Sequence, residues 1–248
     1  MSKSLYGSIK QNGIKNTFLF GLDGMNRISE DFREKFYGNK HVLDFYEKSK
    51  NIADLNEAFN FAVSWKYRSM SIKPLQDKNE FLSFCDYVME KIKSPQRVIE
   101  VGTANGGTLF LFTRIMSAGS IIVSVDIHKF SDSRIELLHN FDKEKAINII
   151  YANAFDELTP KKVNDALGKV QADLLFIDAD HSYAGVKNDF SRFSPLVKKG
   201  GMIAFHDINP DRGNGIPNFW ENLKENFEYR TFRKKLQGWG GIGVTAKN

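Results

Sequence analysis

The chain has 248 residues, 42% hydrophobic and 26% charged, with a mean hydropathy of -0.38, which excludes disordered, collagen-like and mucin-like proteins. Its net charge of +5 divides into +3 over residues 1–95 (15 Lys+Arg minus 12 Asp+Glu) and +2 over residues 96–248 (20 minus 18), whereas nucleic-acid-binding proteins usually concentrate their positive charge on one stripe or tail. The even spread of charge therefore predicts that the protein does not bind nucleic acid. A single cysteine excludes an internal disulfide and indicates a reducing compartment. No apolar run has the length of a signal peptide or a membrane span, which predicts a cytoplasmic protein that does not bind a membrane.

Residues 1–74 are predicted to form a mostly helical N-terminal extension. No flexible linker follows them, so the extension is expected to pack on the rest of the chain. The segment Asp77–Glu80 is typical of a helix N-cap, and an apolar helix is predicted directly after it over Phe81–Ile92. Earlier helices are predicted over Ile28–Tyr37, Val42–Tyr46 and Leu55–Trp65.

From residue 97 onward, nearly continuous apolar runs of strand length alternate with helix-compatible segments. Continuous apolar runs indicate strands that are buried on both faces of a parallel sheet, and the alternation is typical of a doubly wound α/β fold. The last two runs have no helix between them, so they are expected to pair antiparallel. We therefore predict an α/β, Rossmann-like domain over residues 75–248, with a mostly parallel seven-stranded sheet and an antiparallel C-terminal strand. The predicted strands are Arg97–Val101, Ile121–Asp126, Ile147–Tyr151, Asp173–Asp178, Met202–Asp207, Tyr229–Phe232 and Gly240–Ala246, and the helices are Thr108–Met116, Ser133–Asn140, Leu158–Gly168, Tyr183–Val197 and Pro217–Asn226.

A glycine-rich turn follows the first strand of this domain. Ligands of open α/β sheets bind beyond the carboxyl ends of the strands, so this turn is a candidate binding loop. Three residues separate Gly102 from Gly106, whereas a dinucleotide fingerprint has one, and this spacing disfavours an NAD-dependent oxidoreductase. The adjacent carboxylate of Glu100 would repel a pyrophosphate and suits a cationic or amine-bearing ligand; the alternative is an ordinary strand–helix turn. The candidate cofactor-binding residues here are Glu100, Gly102, Thr103, Ala104, Gly106, Gly107 and Thr108.

Asp126 ends the second strand, 24 residues after the first glycine. An acid at this place can accept hydrogen bonds from both ribose hydroxyls of a nucleoside; the alternative is that it caps the next helix. After the third strand, Asn153, Ala154 and Phe155 are predicted to contact an adenine ring. Ile127, next to Asp126, is a further candidate cofactor-binding residue.

The loop Glu100–Thr108, Asp126 and the closing antiparallel element resemble the class I S-adenosylmethionine-dependent methyltransferases, over roughly residues 75–246. More narrowly, Phe176–Tyr183 and Gly200–Ile208 resemble a bacterial branch near the cephalosporin-hydroxylase-like proteins and the metal-dependent O-methyltransferases. The resemblance implies S-adenosylmethionine as cofactor, with Asp178 as a further binding residue. It also implies methyl transfer to a hydroxyl of a sugar or a small polyhydroxylated or phenolic metabolite. Association into a homo-oligomer is left open.

Metal assistance is predicted because acidic and imidazole side chains end two neighbouring strands. Asp178 closes the fourth strand and His206 with Asp207 closes the fifth, so three ligands would converge at one rim, as suits Mg²⁺ or Mn²⁺. The metal-dependent relatives have an Asp-Asn pair where this chain has His206 and Asp207. A histidine ligand makes Mn²⁺, Fe²⁺ or Zn²⁺ more competitive with Mg²⁺. Two alternatives stay open for His206: it contacts a metal ligand and not the metal, or it only forms a hydrogen bond to the backbone.

His181 is the predicted catalytic base. It lies three residues after Asp178, where the metal-dependent relatives carry a lysine that deprotonates the substrate hydroxyl, and an unperturbed imidazole pKa near 6.5 suits this task. Asp180 either orients the imidazole or caps the helix that starts at Tyr183. The alternative to an enzyme is a non-catalytic nucleoside-binding or scaffold protein with the same fold, which would not need these acids and histidines together. The remaining candidates, His41, His128 and His139, are predicted to be surface or packing residues.

Overall fold

The apolar runs of the sequence form the strands of a sheet in this computed structural model, which describes residues 39–210, 215–234 and 240–248. The predicted helix Ile28–Tyr37 lies outside the described residues. In chain order the strands are β1 (Lys66–Tyr67), β2 (Met70–Ser71), β3 (Arg97–Val101), β4 (Ile121–Asp126), β5 (Ala146–Tyr151), β6 (Ala172–Ile177), β7 (Val197–His206), β8 (Tyr229–Phe232) and β9 (Ile242–Ala246). The helices are α1 (Lys40–Ser49), α2 (Leu55–Ser64), α3 (Lys78–Ile92), α4 (Gly107–Ile115), α5 (Asp132–His139), α6 (Thr159–Ala166), α7 (Tyr183–Phe193) and α8 (Gly215–Lys224).

The large sheet has the order β5-β4-β3-β6-β7-β9-β8. Strands β3 to β7 are parallel, whereas β9 runs antiparallel to both β7 and β8. The chain leaves β3 towards β4 and β5, and then returns to the other side of β3 through β6 and β7. The order therefore reverses next to β3, and this is where an open α/β sheet binds its ligand. The predicted doubly wound fold with one reversed C-terminal strand is confirmed.

The structure differs locally from the predicted elements. The predicted helix Tyr183–Val197 ends at Phe193, and a single 3₁₀ turn over Ser194–Leu196 leads into β7, which starts at Val197. Pro195 explains the early end, because it has no backbone N–H to donate to the helix and it restricts the residue before it. The hairpin β1–β2 was not predicted, since strands of two residues are too short to carry a periodic pattern.

The N-terminal helices share an apolar core with the sheet domain. Phe45 on α1 packs its ring against Trp65 and against Phe110 of α4, with both centroid distances at 5.3 Å. The predicted N-cap of α3 is confirmed, because the Asp77 carboxylate accepts hydrogen bonds from the amides of Asn79 and Glu80. A division of the chain at residue 74 stays a prediction. Among the described residues, no helix is both long and apolar enough to cross a membrane.

Candidate active site

The loop between β3 and α4 turns tightly at its glycines. Gly102 has a φ of +103°, and a Cβ there would lie 2.0 Å from the backbone oxygen of Asp178, so only glycine lets β3 pass this close to the end of β6. Gly106, with a φ of +83°, is the N-cap of α4. The turn aims the amides of Thr103 and Ala104 at one carboxylate oxygen of Asp126, at 3.1 and 3.0 Å.

Asp126 organises this loop as well as the turn after β4. Its other carboxylate oxygen, Oδ1, accepts hydrogen bonds from the backbone N of His128 at 2.7 Å and from the His128 imidazole Nδ1 at 3.1 Å. A carboxylate offers about four lone-pair positions, so ribose hydroxyls would share or replace the His128 imidazole. The alternative role as a helix cap is wrong, because Ser131 caps α5.

His128 was predicted to be a surface or packing residue, and the structure places it against Asp126 with its side chain 47% exposed. The contact was missed although His128 follows Asp126 by two residues, the spacing at which an aspartate side chain accepts a hydrogen bond from a backbone N–H in an Asx-turn. The predicted cofactor-binding residues Ile127, Asn153 and Ala154 follow the paired strands β4 and β5, whose register sets Asp126 opposite Tyr151. These three residues therefore lie at the same end of the sheet as Asp126.

Glu100 is fully buried between the two strand-end aspartates. One carboxyl oxygen accepts a hydrogen bond from the Ser124 hydroxyl, and the other has no hydrogen-bond partner among the described residues. Burial raises the pKa of Glu100 well above its usual range; the Ser124 hydroxyl opposes this shift, whereas the charges of Asp178 and Asp126 add to it. The site thus contains a buried carboxyl group that a cationic ligand would help to ionise.

Four side chains converge at the carboxyl ends of β6 and β7. The Nδ1 atom of His206 lies 3.1 Å from Oδ1 of Asp178. The Nε2 atom of His181 lies 3.7 Å from the same oxygen and 3.5 Å from Oδ2 of Asp207. Ligand atoms of Asp178, His181 and Asp207 all lie within 4.8 Å of one another, close enough for a single metal ion. We call Asp178, His181, His206 and Asp207 the rim cluster.

The rim cluster is strongly coupled electrostatically. Burial by itself would raise the pKa of the Asp178 carboxyl, but His206 and His181 outweigh it and hold that pKa well below its usual range. Asp207 is buried, with a side-chain exposure of 1%, and its φ is +62°, a left-handed conformation that is uncommon outside glycine. Backbone strain of this kind is concentrated at functional sites.

The two histidines of the rim cluster differ in how far they are exposed to solvent. His206 is buried, and its ring stacks on Phe176 with a centroid distance of 6.5 Å. His181 exposes 37% of its side chain. The sequence predicted His206 as a metal ligand and His181 as the base, whereas it is His181 that shares the ligand-distance group with Asp178 and Asp207. Which histidine contacts a metal remains a prediction.

Asp180 does not cap α7. Its Oδ1 accepts a hydrogen bond from the backbone N of Ser182 at 2.8 Å, and the Ser182 hydroxyl oxygen accepts one from Gly185 N at 2.9 Å. Ser182 is therefore the N-cap, and the alternative in which Asp180 caps the helix is wrong. The backbone oxygen of His181 also accepts a hydrogen bond from Gly215 N at 2.9 Å, so the start of α8 lies against the rim cluster.

Gln76 is a site residue that sequence reasoning missed. Its side-chain amide donates a hydrogen bond to Oδ2 of Asp178 at 2.7 Å and accepts one from the Thr108 hydroxyl at 2.7 Å. The only sequence signal was a polar side chain just before the α3 N-cap, which does not distinguish it from an exposed loop residue. Gln76 is buried.

Comparison with known proteins agrees with this geometry. A family profile described as a methyltransferase domain matches residues 99–208. A caffeoyl-CoA O-methyltransferase-like protein of Arabidopsis thaliana is 31% identical over 186 residues, which are 71% of this chain and 73% of that protein. An uncharacterised protein of Sinorhizobium fredii is 29% identical over 140 residues, which are 52% of this chain but only 15% of the length of that relative.

Two solved structures have the same fold. A caffeoyl-CoA O-methyltransferase-like protein of Staphylococcus aureus has a TM-score of 0.55 at 18% identity, and the alignment covers 85% of this chain and 99% of the other. MycE from the mycinamycin biosynthetic pathway, determined with Mg, S-adenosylhomocysteine and mycinamycin VI, has a TM-score of 0.52 at 15% identity, with 78% and 53% coverage. At these identities the likeness concerns the fold.

Proposed function

The chain belongs to the class I S-adenosylmethionine-dependent methyltransferases, and on that premise we propose that it transfers the donor's methyl group to a hydroxyl oxygen of a small molecule with the help of a divalent metal ion. The observation that carries the proposal is the rim cluster, which lies beside the glycine-rich loop at the reversal of strand order. A protein that only bound a nucleoside would not need two carboxylates and two imidazoles at this place.

The donor is assigned to the loop and to the ends of β4 and β5. Glu100, Gly102 and the backbone around Gly106 and Gly107 would hold the methionine part, whose ammonium and sulfonium charges suit the buried Glu100 carboxyl. Asp126 would accept hydrogen bonds from the ribose. The adenine ring would lie against Ile127, Asn153 and Ala154, where Ile127 exposes 56% of its surface to offer an apolar face.

The residues of the rim cluster fit a divalent metal ion. Asp178 and Asp207 bring two carboxylates together in a mostly buried place, and buried charges of the same sign require a cation or a proton for compensation. Asp178 and Asp207 would hold the ion together with the imidazole of His206, which leaves the imidazole of His181 for the acceptor. Oxygen donors with one imidazole suit Mg²⁺ and Mn²⁺, and the imidazole makes the softer Fe²⁺ and Zn²⁺ more competitive. Bound there, the ion would supply a Lewis acid that lowers the pKa of the acceptor hydroxyl.

Proton removal from the acceptor is assigned to His181. Its imidazole is the more exposed of the two in the rim cluster, so it can reach a ligand from solvent, and Asp207 lies 3.5 Å from its Nε2 to stabilise the charge it gains. The transfer is an in-line displacement at the sulfonium methyl, so holding donor and acceptor in line supplies much of the acceleration.

The acceptor is proposed to be a sugar or a small polyhydroxylated or phenolic metabolite. The names of two similar proteins support this class, since one refers to caffeoyl-CoA and the other protein was determined with mycinamycin VI. A screen with methyl-labelled S-adenosylmethionine and Mn²⁺ over a panel of such acceptors, with and without EDTA, tests the function. We expect label in at least one acceptor only when the metal is present, and full transfer in EDTA would contradict the metal assignment.

A further inference from the structure

A buried amide connects the glycine-rich loop Glu100–Thr108, which we call the donor loop, to the rim cluster. Gln76 lies in the segment before α3, 102 residues away from Asp178 in the chain, and donates a hydrogen bond to Oδ2 of that carboxylate at 2.7 Å. Its side-chain oxygen accepts a hydrogen bond from the hydroxyl of Thr108, on the first turn of α4, also at 2.7 Å. Both ends of one side chain are therefore occupied, one by the donor loop and one by the rim cluster.

Asp178 determines which way the Gln76 amide points. An ionised carboxylate only accepts hydrogen bonds, so the NH₂ group of Gln76 must face Oδ2 of Asp178 and donate to it. The amide oxygen then faces Thr108, whose hydroxyl donates to it and ties Gln76 to the first turn of α4. Since Oδ2 is held in this way, Oδ1 is the oxygen presented to His206 and His181, at 3.1 and 3.7 Å.

The segment that carries Gln76 is packed directly on the donor loop. A Cβ on Gly107 would lie 2.3 Å from the backbone oxygen of Ile72 and 2.5 Å from the nitrogen of Pro74. Arg134 joins the two segments further, because its guanidinium donates hydrogen bonds to the backbone oxygens of Ser71 and Asn105 at 2.8 and 3.1 Å. A shift of the loop around Asn105–Thr108 therefore changes the position of Gln76.

We propose that Gln76 is a positioning residue that couples the two halves of the site, so that donor and metal bind cooperatively. This inference rests on the proposed function. When the donor orders the loop, the Thr108–Gln76 pair holds the Asp178 carboxylate in the orientation that the metal needs. Coupling between binding sites is reciprocal, so the metal also tightens donor binding by the same factor.

A purely structural role for Gln76 predicts something different. If the amide only tied the segment before α3 to the fold, its removal would weaken donor and metal binding separately, and the ratio of donor affinities with and without metal would stay the same. The measurement that separates the two roles is therefore this ratio, and not either affinity or the turnover.

The experiment is isothermal titration of the 248-residue chain with S-adenosylhomocysteine, in EDTA and in MnCl₂ at a concentration that saturates each variant. We expect Mn²⁺ to tighten binding in the wild type by about 5- to 150-fold, the usual range of coupling between sites. Gln76→Leu removes both hydrogen bonds and should reduce this factor to about one. Thr108→Val keeps the volume but removes the hydroxyl that ties the Gln76 amide oxygen to the loop, so it should reduce the factor as well, and it provides a second test if Gln76→Leu fails to fold. Gln171→Leu, at an exposed glutamine, is the matched control and should keep the wild-type factor.

The outcomes are distinguishable. A wild-type protein that does not bind S-adenosylhomocysteine overturns the proposed function and this inference together. Binding without any effect of Mn²⁺ overturns the inference and leaves donor binding established. A wild-type coupling factor that survives in Gln76→Leu, or in Thr108→Val when Gln76→Leu does not fold, shows that Gln76 is only structural. Loss of the factor in both variants, with the control unchanged, supports the coupling.

Discussion

The imidazole of His181 is the side chain on which the proposed proton transfer depends. His181→Ala should lower turnover by about 10²- to 10⁴-fold, the usual contribution of a positioned general base. Affinity for S-adenosylhomocysteine in saturating Mn²⁺ should barely change, because His181 is assigned to the acceptor side of the methyl group. Initial rates with labelled donor and titration calorimetry measure the two effects. His181→Lys introduces the lysine that the metal-dependent relatives carry at this position. It should therefore restore part of the turnover that His181→Ala loses.

His139→Ala is the matched control for this variant. His139 ends α5, it has no proposed role in the site, and its removal should leave turnover near the wild-type value. Normal turnover in His181→Ala would contradict the base assignment. Loss of Mn²⁺ binding in that variant would instead identify His181 as a metal ligand, in agreement with its place beside Asp178 and Asp207.

Asp126 combines two tasks in one carboxylate. Asp126→Ala should weaken donor binding by about 1–3 kcal/mol, because ribose hydroxyls and the loop amides of Thr103 and Ala104 would lose their acceptor in a buried place. Asp126→Asn keeps one acceptor oxygen, so its loss should be smaller. Titration with S-adenosylhomocysteine measures both, with Asp165→Ala at an exposed position as control. Unchanged affinity in Asp126→Ala would remove the ribose assignment.

At the scale of elements, helix α7 contains a buried carboxyl group outside the rim cluster. Asp189 is fully buried, and its Oδ2 has no hydrogen-bond partner among the described residues. Burial raises the pKa of Asp189 to about 6; the Asn188 amide opposes this shift, the charge of Asp180 adds to it and Arg192 also opposes it. The neutral form of this side chain is therefore favoured up to a higher pH than in an exposed aspartate.

The raised pKa of Asp189 predicts a pH-dependent stability. Between the unfolded value of 3.8 and the folded value of about 6, the folded state keeps a proton that the unfolded state has released. The free energy of unfolding should therefore fall as pH rises through this window and stay constant above it. Asp189→Asn removes the titration and should be more stable than the wild type by about 1–3 kcal/mol at pH 7, where one pKa unit corresponds to about 1.4 kcal/mol.

Urea unfolding at several pH values between about 4 and 7 measures this difference. Asp165→Asn, which changes an exposed aspartate on α6, is the control and should unfold like the wild type throughout. An Asp189→Asn variant that is less stable than the wild type at pH 7 would show that the charged carboxylate is compensated in the folded protein.

At the scale of the whole molecule, an aromatic cluster joins the N-terminal helices to the sheet domain. The ring of Phe45 lies 5.3 Å from Trp65, 5.3 Å from Phe110 and 5.0 Å from Phe141, measured between centroids. Phe45 of α1 thus contacts Trp65 of the N-terminal region as well as Phe110 and Phe141 of the domain that begins at residue 75. Such a shared core predicts that the N-terminal region and the sheet domain unfold together, although the sequence pattern predicts a boundary between them at residue 74.

Phe45→Ala should lower the free energy of unfolding of the whole chain by about 3–5 kcal/mol, the usual cost of emptying a buried phenylalanine site. One transition that moves as a unit is expected in urea, followed by circular dichroism and by tryptophan fluorescence. Leu43→Ala, at a position that is 62% exposed, should change stability by less than about 0.5 kcal/mol. Two separate transitions, only one of which responds to Phe45→Ala, would show that the extension is an independent unit.

The sequence by itself determined the strand order along the chain within the sheet domain and the edge of the sheet where the candidate site lies. The predicted bounds of β3 and β4 agree with the structure to the residue, because a strand buried on both faces is a continuous apolar run between turn residues. The positions of Glu100, Asp126 and Asp178 follow from the same pattern. A side chain at the carboxyl end of a parallel strand must lie at the ligand-binding edge, whatever the details of packing.

Only the tertiary structure decided how the polar side chains of the site meet. Gln76 reaches Asp178 across 102 residues of chain, and periodicity contains no information about a contact between two loops. His206 and His181 both follow apolar runs in the sequence, but the register of β7 buries the first against Phe176, whereas the second extends past the end of β6 and stays partly exposed. Periodicity reports which residues face a core, whereas the partner of a buried polar group depends on which strands become neighbours, and that is decided when the whole sheet packs.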